Sequence, residues 1–146
     1  MSSPEAFDAF KGVLDDYAAG DGALPVRYEN EFVQDLLDAN TPAWLYVEVY
    51  GDTYNQDTMG APGANAWEER GVTYLHVMTP SGSGSRAGRV HANRLLYLFR
   101  EKPIGNLFMP EMSIGEGSPG QDFPNYYSTA GTIFWTRRDI TSTPTT

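Results

Sequence analysis

Apolar residues recur at intervals of three and four near the start of the chain: Ala6, Phe7, Phe10, Val13, Leu14 and Tyr17. That spacing predicts an amphipathic helix over residues 3–19 with one apolar face. Ser2 or Ser3 is placed to cap it, Pro4 suits its first position, and Glu5 and Asp8 complement its positive end. Ala19-Gly20-Asp21-Gly22 ends it. Leu24-Pro25-Val26-Arg27-Tyr28 then reads as a short extended segment. Residues 29–42 are polar, with the acids Glu29, Glu31, Asp35 and Asp38 and room for one helical turn around Phe32 to Leu37.

At Ala43 the period changes to two. Leu45, Val47 and Val49 point one way, and Trp44, Tyr46, Glu48 and Tyr50 the other, which predicts a strand with two usable faces. Residues 51–66 lose the alternation and hold Gly51, Gly60, Pro62 and Gly63, the pattern of a long loop. A second strand follows over about 67–79, with Thr73, Leu75 and Val77 on one side, then a Gly/Ser turn at 80–85. Gly88, Ala92, Leu95, Leu96 and Phe99 share one face of a helix over 85–100, and Arg86, Arg89, Arg94 and Arg100 occupy the rest. Lys102-Pro103 stops that helix. A strand near 106–114, a Gly/Pro loop over 115–125 and a strand over 126–137 complete the order. In the last strand Tyr127, Thr129, Ile133 and Trp135 alternate with Tyr126, Ser128, Phe134 and Thr136.

Strands that follow one another without crossover helices favour hairpins. The expected fold is therefore α+β: a mixed or antiparallel sheet of about four to five strands with two helices on one face. The expected organisation is a single domain over 1–139 and a flexible tail over 140–146. The second sheet face, with Trp44, Tyr46, Tyr50, Tyr126 and Phe134, is expected to stay partly exposed and to be covered by something else.

Composition narrows this picture. A chain of 146 residues forms one domain and buries about two-thirds of its unfolded surface, enough for a real core. It has no cysteine, which excludes disulfides, zinc–thiolate sites and thiol catalysis. The N-terminus lacks the basic and apolar regions of a signal peptide, and the longest apolar runs are the five residues 43–47 and 95–99. The expectation is a soluble protein made in the cytoplasm. Its net charge of −9 is unevenly spread: residues 1–57 carry twelve acids and two bases, the remainder seven acids and eight bases. Strong binding to nucleic-acid phosphates needs clustered Lys and Arg, so none is expected.

Candidate chemistry is sparse. Gly82-Ser-Gly84-Ser-Arg86-Ala-Gly88 opens a helix after a strand, where amides can hold a phosphate. Its spacing departs from the dinucleotide fingerprint, and it lacks the Gly-Lys-Ser/Thr of a P-loop. Asp52, Asn55 and Asp57 miss the oxygen positions of a calcium loop. His76 and His91 have no ligand spacing and no acid beside them in sequence. No G-x-S-x-G occurs. No catalytic residue, metal site or cofactor is expected, and the chain reads as a non-enzyme.

The order and spacing of elements resemble the tail-terminator (tail-completion) proteins of long-tailed bacteriophages and phage-like gene transfer agents. The N-terminal helix is followed by Leu24-Pro25-Val26-Arg27-Tyr28-Glu29-Asn30, similar to that family's proline, extended, Asn segment. Thr41-Pro42-Ala43-Trp44-Leu45-Tyr46-Val47-Glu48-Val49 looks like its proline and alternating strand. Gly71-Val72-Thr73-Tyr74-Leu75-His76-Val77-Met78-Thr79-Pro80 is similar to its second long strand, and a Gly-rich turn, the 85–100 helix and a final strand follow. The resemblance covers most of residues 3–138. The chain departs from the pattern in its 51–66 loop and its threonine-rich end.

What the resemblance implies is a structural virion protein in the tail or neck, assembled in the host cytoplasm. Its subunits would form a six-fold ring capping the head-proximal end of the tail tube, stopping polymerisation and docking the head connector. The implied partners are other copies of the chain, the tail-tube protein and the connector, with DNA passing through unbound and no membrane or cofactor involved. Placed on this sequence, the subunit-interface candidates are Tyr46, Phe134, Arg86, Arg89 and Arg94. Tyr54, Gln56 and Met59 are candidates for docking to the tube, in a loop expected to be mobile, and Glu29, Glu31, Asp35 and Asp38 for the lumen. A neck or head–tail joining protein and a tube subunit are the alternatives of the same kind. A small nucleotide-binding or hydrolytic enzyme using residues 82–88 is the alternative of a different class.

Overall fold

The computed structural model describes residues 2–20, 23–119 and 125–141. The chain order is α1 (Pro4–Ala18), β1 (Val26–Tyr28), α2 (Gln34–Asp38), β2 (Trp44–Gln56), β3 (Ala66–Pro80), α3 (Arg86–Tyr97), β4 (Leu107–Pro119) and β5 (Tyr126–Ile140). The five strands form one mixed sheet in the order β1-β2-β3-β5-β4. Only β1–β2 is parallel; β2–β3, β3–β5 and β4–β5 are antiparallel. The fold is α+β, as the periodicities predict.

Alternation along the strands decides which face is buried. Leu45, Val47 and Val49 of β2, Leu75 and Val77 of β3, and Ile133 and Trp135 of β5 form one core with Ala6, Phe10 and Leu14 of α1 and Ala92, Leu95 and Phe99 of α3. Each such aliphatic side chain stabilises the fold by about 1.5–3 kcal/mol through burial. The α1 start forms as expected: Ser3 caps it, its Oγ accepting from Ala6 N at 3.3 Å, and Pro4 opens the helix. α3 lies close on the sheet because position 88 has no side chain; a Cβ there would come within 2.5 Å of Thr129 Oγ1.

Three boundaries differ from the sequence expectation. Residues 51–66 are not one long loop: β2 continues to Gln56 and β3 begins at Ala66, so the connection spans only 57–65. A bulge explains the lost alternation. Gly51 pairs with Gly71 but Thr53 pairs with Arg70, leaving Asp52 as the extra residue. The bulge reverses the parity of β2, so Tyr54 joins the helix-covered face that Leu45, Val47 and Val49 occupy before it. Strand β4 runs to Pro119, past the expected limit of 114, and residues 120–124 of the expected loop lie outside the described residues. Ile140 belongs to β5, and 142–146 of the expected tail lie outside the described residues.

Helix α2 is the single turn expected near Phe32–Leu37, and it covers a corner of the second sheet face. Its Leu36 packs with Trp44, Met78 and Tyr126. Trp44 is therefore 0% exposed and Tyr126 is buried, with its hydroxyl donating to Thr41 O at 2.8 Å. These two aromatics were expected on an open surface; a five-residue helix seals them instead.

Candidate assembly surfaces

Beyond that corner, no helix among the described residues covers the second face. Cross-strand pairing aligns Tyr46 with His76, Glu48 with Tyr74 and Tyr50 with Val72, and Val72 in turn with Phe134. Tyr46 is half-buried, whereas Tyr50 and Phe134 are exposed, the latter at 38%. Tyr46 and Phe134 thus share the face but stand two cross-strand rows apart, separated by a polar centre. There His76 Nε2 lies 2.7 Å from Glu48 Oε1 and its Nδ1 lies 3.4 Å from Ser128 Oγ. Tyr50 donates to the other Glu48 oxygen, which, with burial, pushes the Tyr50 pKa up to about 12. His76 stacks on Tyr74, with ring centroids 5.8 Å apart.

A serine, a histidine and a glutamate in contact invite a catalytic reading, and the geometry argues against it. In a hydrolytic triad the serine engages Nε2 and the acid Nδ1; here the nitrogens are reversed. Ser128 is only 5% exposed, and its Oγ stands 3.4 Å from the ring nitrogen, a long contact. What the cluster can do is fix the rotamers of Tyr50, Tyr74 and His76, holding an aromatic surface in one shape. Sequence inspection missed it because Glu48 and His76 are 28 residues apart and meet only through strand register.

The tube-docking candidates do not form one loop surface. Tyr54 stands on β2 and is tied into a network on the helix-covered side. Arg137 Nη2 donates to Tyr54 Oη at 2.9 Å, and Tyr54 donates to Asp139. Burial and the Asp139 contact raise the Tyr54 pKa. Arg137 Nε also donates to Glu69 Oε1 at 3.1 Å in a pair whose side chains are 6% and 3% exposed. Burial alone would lower the Arg137 pKa, but the hydrogen bonds to Asp139 and Glu69 raise it. Glu69 in turn accepts from the backbone N of Ser3 at 2.7 Å and from its hydroxyl, anchoring the α1 cap to the sheet. Gln56 donates to Thr58 O at 2.7 Å at the mouth of the 57–65 connection, and Met59 within it is exposed.

The two edges of the sheet are built differently. At β1, Glu31 accepts from Tyr28 N at 2.9 Å and Arg27 Nη1 donates to Val26 O at 3.0 Å, so side chains occupy part of the backbone hydrogen-bonding edge. The lumen candidates all lie here, and each has a local partner: Glu29 accepts from Val49 N at 2.5 Å, Asp35 pairs with Arg27 at 3.0 Å, and Asp38 accepts from Gln34. Arg27 Nε also donates to Phe32 O at 3.2 Å. The turn before Phe32 is set by Asn30 in the left-handed region, at φ 60°. Phe32 is thereby held on a braced loop and is 71% exposed. Its signal in the sequence, one phenylalanine among acids, was legible but was assigned to the helix.

At β4 the opposite edge carries a groove of about 700 Å³ between the end of α3 and the strand. Leu96 and Tyr97 line one wall and Met109, Met112 and Ile114 the other, and Arg100, Glu101 and Lys102 also belong to the lining. Two register shifts, at Phe108/Glu111 and Ile114/Gly117, interrupt β4. The interface candidates Arg86, Arg89 and Arg94 stand exposed along α3. Among the described residues, none of these three arginines, Arg100 or Lys102 is ion-paired to a carboxylate, although Arg100 lies 5.2 Å from the Tyr97 ring centroid.

Among the described residues no group of three or more His, Asp or Glu is placed to hold a metal ion, and no helix is long and apolar enough to cross a membrane. No model of a known protein family matches the chain, and no curated protein matches it. A solved structure does: its chain is 25% identical, the superposition has a TM-score of 0.60, and the alignment covers 99% of each chain. The name of that protein states no activity.

Proposed function

We propose that the chain is a structural subunit of a ring of the tail-terminator kind, capping a tail tube at its head-proximal end and presenting a docking surface to the head connector. The observation that carries this reading is the second sheet face, where Tyr46, Tyr50 and Phe134 surround a locked Glu48–His76 pair. An ordered aromatic surface on a small domain marks a protein contact, because its rings lose little further freedom when a partner arrives. The order of elements that resembles tail terminators supports the same reading.

Electron microscopy of particles made without the protein tests it. Overlong or headless tails support a terminator, whereas leaking heads indicate a neck protein and overturn the capping role. Mass in solution measured beside copy number in the particle tests the ring itself. The acidity of the chain further predicts that duplex DNA at low salt, where electrostatic attraction is strongest, is not retained at micromolar protein.

A further inference from the structure

The two sheet edges are complementary to each other. The β1 edge offers a braced, exposed Phe32 with Glu31 beside it in the chain, Asp35 joined to it through Arg27, and Asp38 on the helix that follows. The β4 edge offers a groove with apolar walls whose lining also holds two cations, Arg100 and Lys102, and one acid, Glu101. One edge has an apolar projection in a negative setting, and the other an apolar recess in a positive one. We infer that the groove between α3 and β4 receives Phe32 of a second copy of this chain, in a head-to-tail contact.

Three features single out this occupant. The bulges and Pro110 in β4 interrupt the edge, so the contact proceeds through side chains rather than by adding a strand. The Arg27 fork, bonded to Phe32 O and Asp35, holds the projecting residue in place before contact, which lowers the entropy lost on docking. The acidic charge of the Phe32 edge meets Arg100 and Lys102, which have no carboxylate partner among the described residues, so attraction and register come from the same groups. Because the two surfaces differ and lie on opposite edges, each copy binds one neighbour at each side. Such a heterologous contact generates a closed ring if the rotation closes. The inference rests on the ring reading above and supplies its seam. It also puts Asp35 and Asp38 between subunits rather than on a lumen wall.

Mixing two variants tests it. Phe32→Ser removes the projection and Ile114→Glu spoils the recess, and both positions are exposed, so melting temperatures should stay near wild type. Each variant alone should associate at least about 30-fold more weakly than wild type by sedimentation, the loss typical of a central anchor. An equimolar mixture should recover a 1:1 dimer and nothing larger, since one intact seam remains between unlike copies. Wild-type association should weaken as salt rises. If wild type forms rings and both variants do as well, the seam is wrong while the ring reading stands. If neither variant assembles and their mixture yields no dimer, the head-to-tail pairing is overturned. If wild type remains monomeric both in solution and on tube ends, the ring reading and its seam fall together.

Discussion

The two faces of the sheet are drawn from the same strands, one residue out of step, and they are stabilised by different means. On the helix-covered face, Leu45, Val47, Leu75, Val77 and Ile133 are fully buried and interlock with α1 and α3. On the other face Tyr46, Glu48, Tyr74 and His76 are half-buried and held by hydrogen bonds and ring contacts. The first arrangement derives its stability from excluded water and close packing, so it tolerates no vacancy. The second contributes less to folding and leaves a surface of defined shape. The paired acids follow the same division: the Glu69–Arg137 ion pair is sealed under the helical layer, while the Glu48–His76 contact remains in reach of solvent.

The largest break in this comparison should come from Trp135→Ala. Trp135 is buried against Phe10 and lies over Gly71, where an added Cβ would come within 2.3 Å of its ring. Its removal should cost about 3–5 kcal/mol, read as a lower denaturant midpoint. Wild-type stability in that variant would show that the helical layer is not the core.

Glu69→Ala against Glu48→Ala sharpens the contrast between the two paired acids. The first leaves buried Arg137 with Asp139 as its remaining carboxylate partner and frees the α1 cap, with an expected cost of about 2–3 kcal/mol, the loss of a charge-assisted hydrogen bond at a buried site. The second should cost about 1 kcal/mol or less, because solvent screens the partner that remains. Equal losses would erase the distinction.

A smaller effect on folding is expected from Tyr46→Ser combined with Phe134→Ser. The melting temperature should fall by only a few degrees, roughly the shift produced by a 1 kcal/mol change in a domain this size. Under the proposed terminator reading, capping of tails should nevertheless disappear. A double variant that still caps tails would remove this face from the assembly surface.

The smallest effect concerns pH. Burial, with Arg94 nearby, holds the His91 pKa below its ordinary 6.5 in the folded chain. The unfolded chain therefore takes up the proton first as pH falls. The contribution of His91 to stability is complete above pH 6.5 and declines below it toward the folded-state pKa. His91→Gln should flatten the stability profile in that window relative to wild type, and parallel profiles would show that the imidazole is not disfavoured as a cation.

Much of the fold is local information. Spacings of four across Ala6, Phe10 and Leu14, and of two across Leu45, Val47 and Val49, announce burial because one helix or strand repeats with those periods. Ser3 and Pro4 mark a helix start for equally local reasons. Those signals were sufficient for the element order, the two main helices and the choice of buried face.

Contacts set by register were not legible. The bulge at Asp52 reverses the side-chain alternation, so a reader following period two sees a loop where a strand continues. Glu48 meets His76, and Glu69 meets Arg137, only because antiparallel pairing brings together residues 28 and 68 positions apart. Trp44 was destined for a solvent-facing position by alternation and is buried by α2, an element too short for periodicity to specify. The opposed characters of the two edges likewise depend on the strand order β1-β2-β3-β5-β4, which puts Phe32 and the β4 groove at opposite sides of the molecule. Sequence determines which side chains seek burial over one turn or one pleat. The tertiary structure decides which of them meet, because pairing free energy is summed along whole strands and belongs to no single segment.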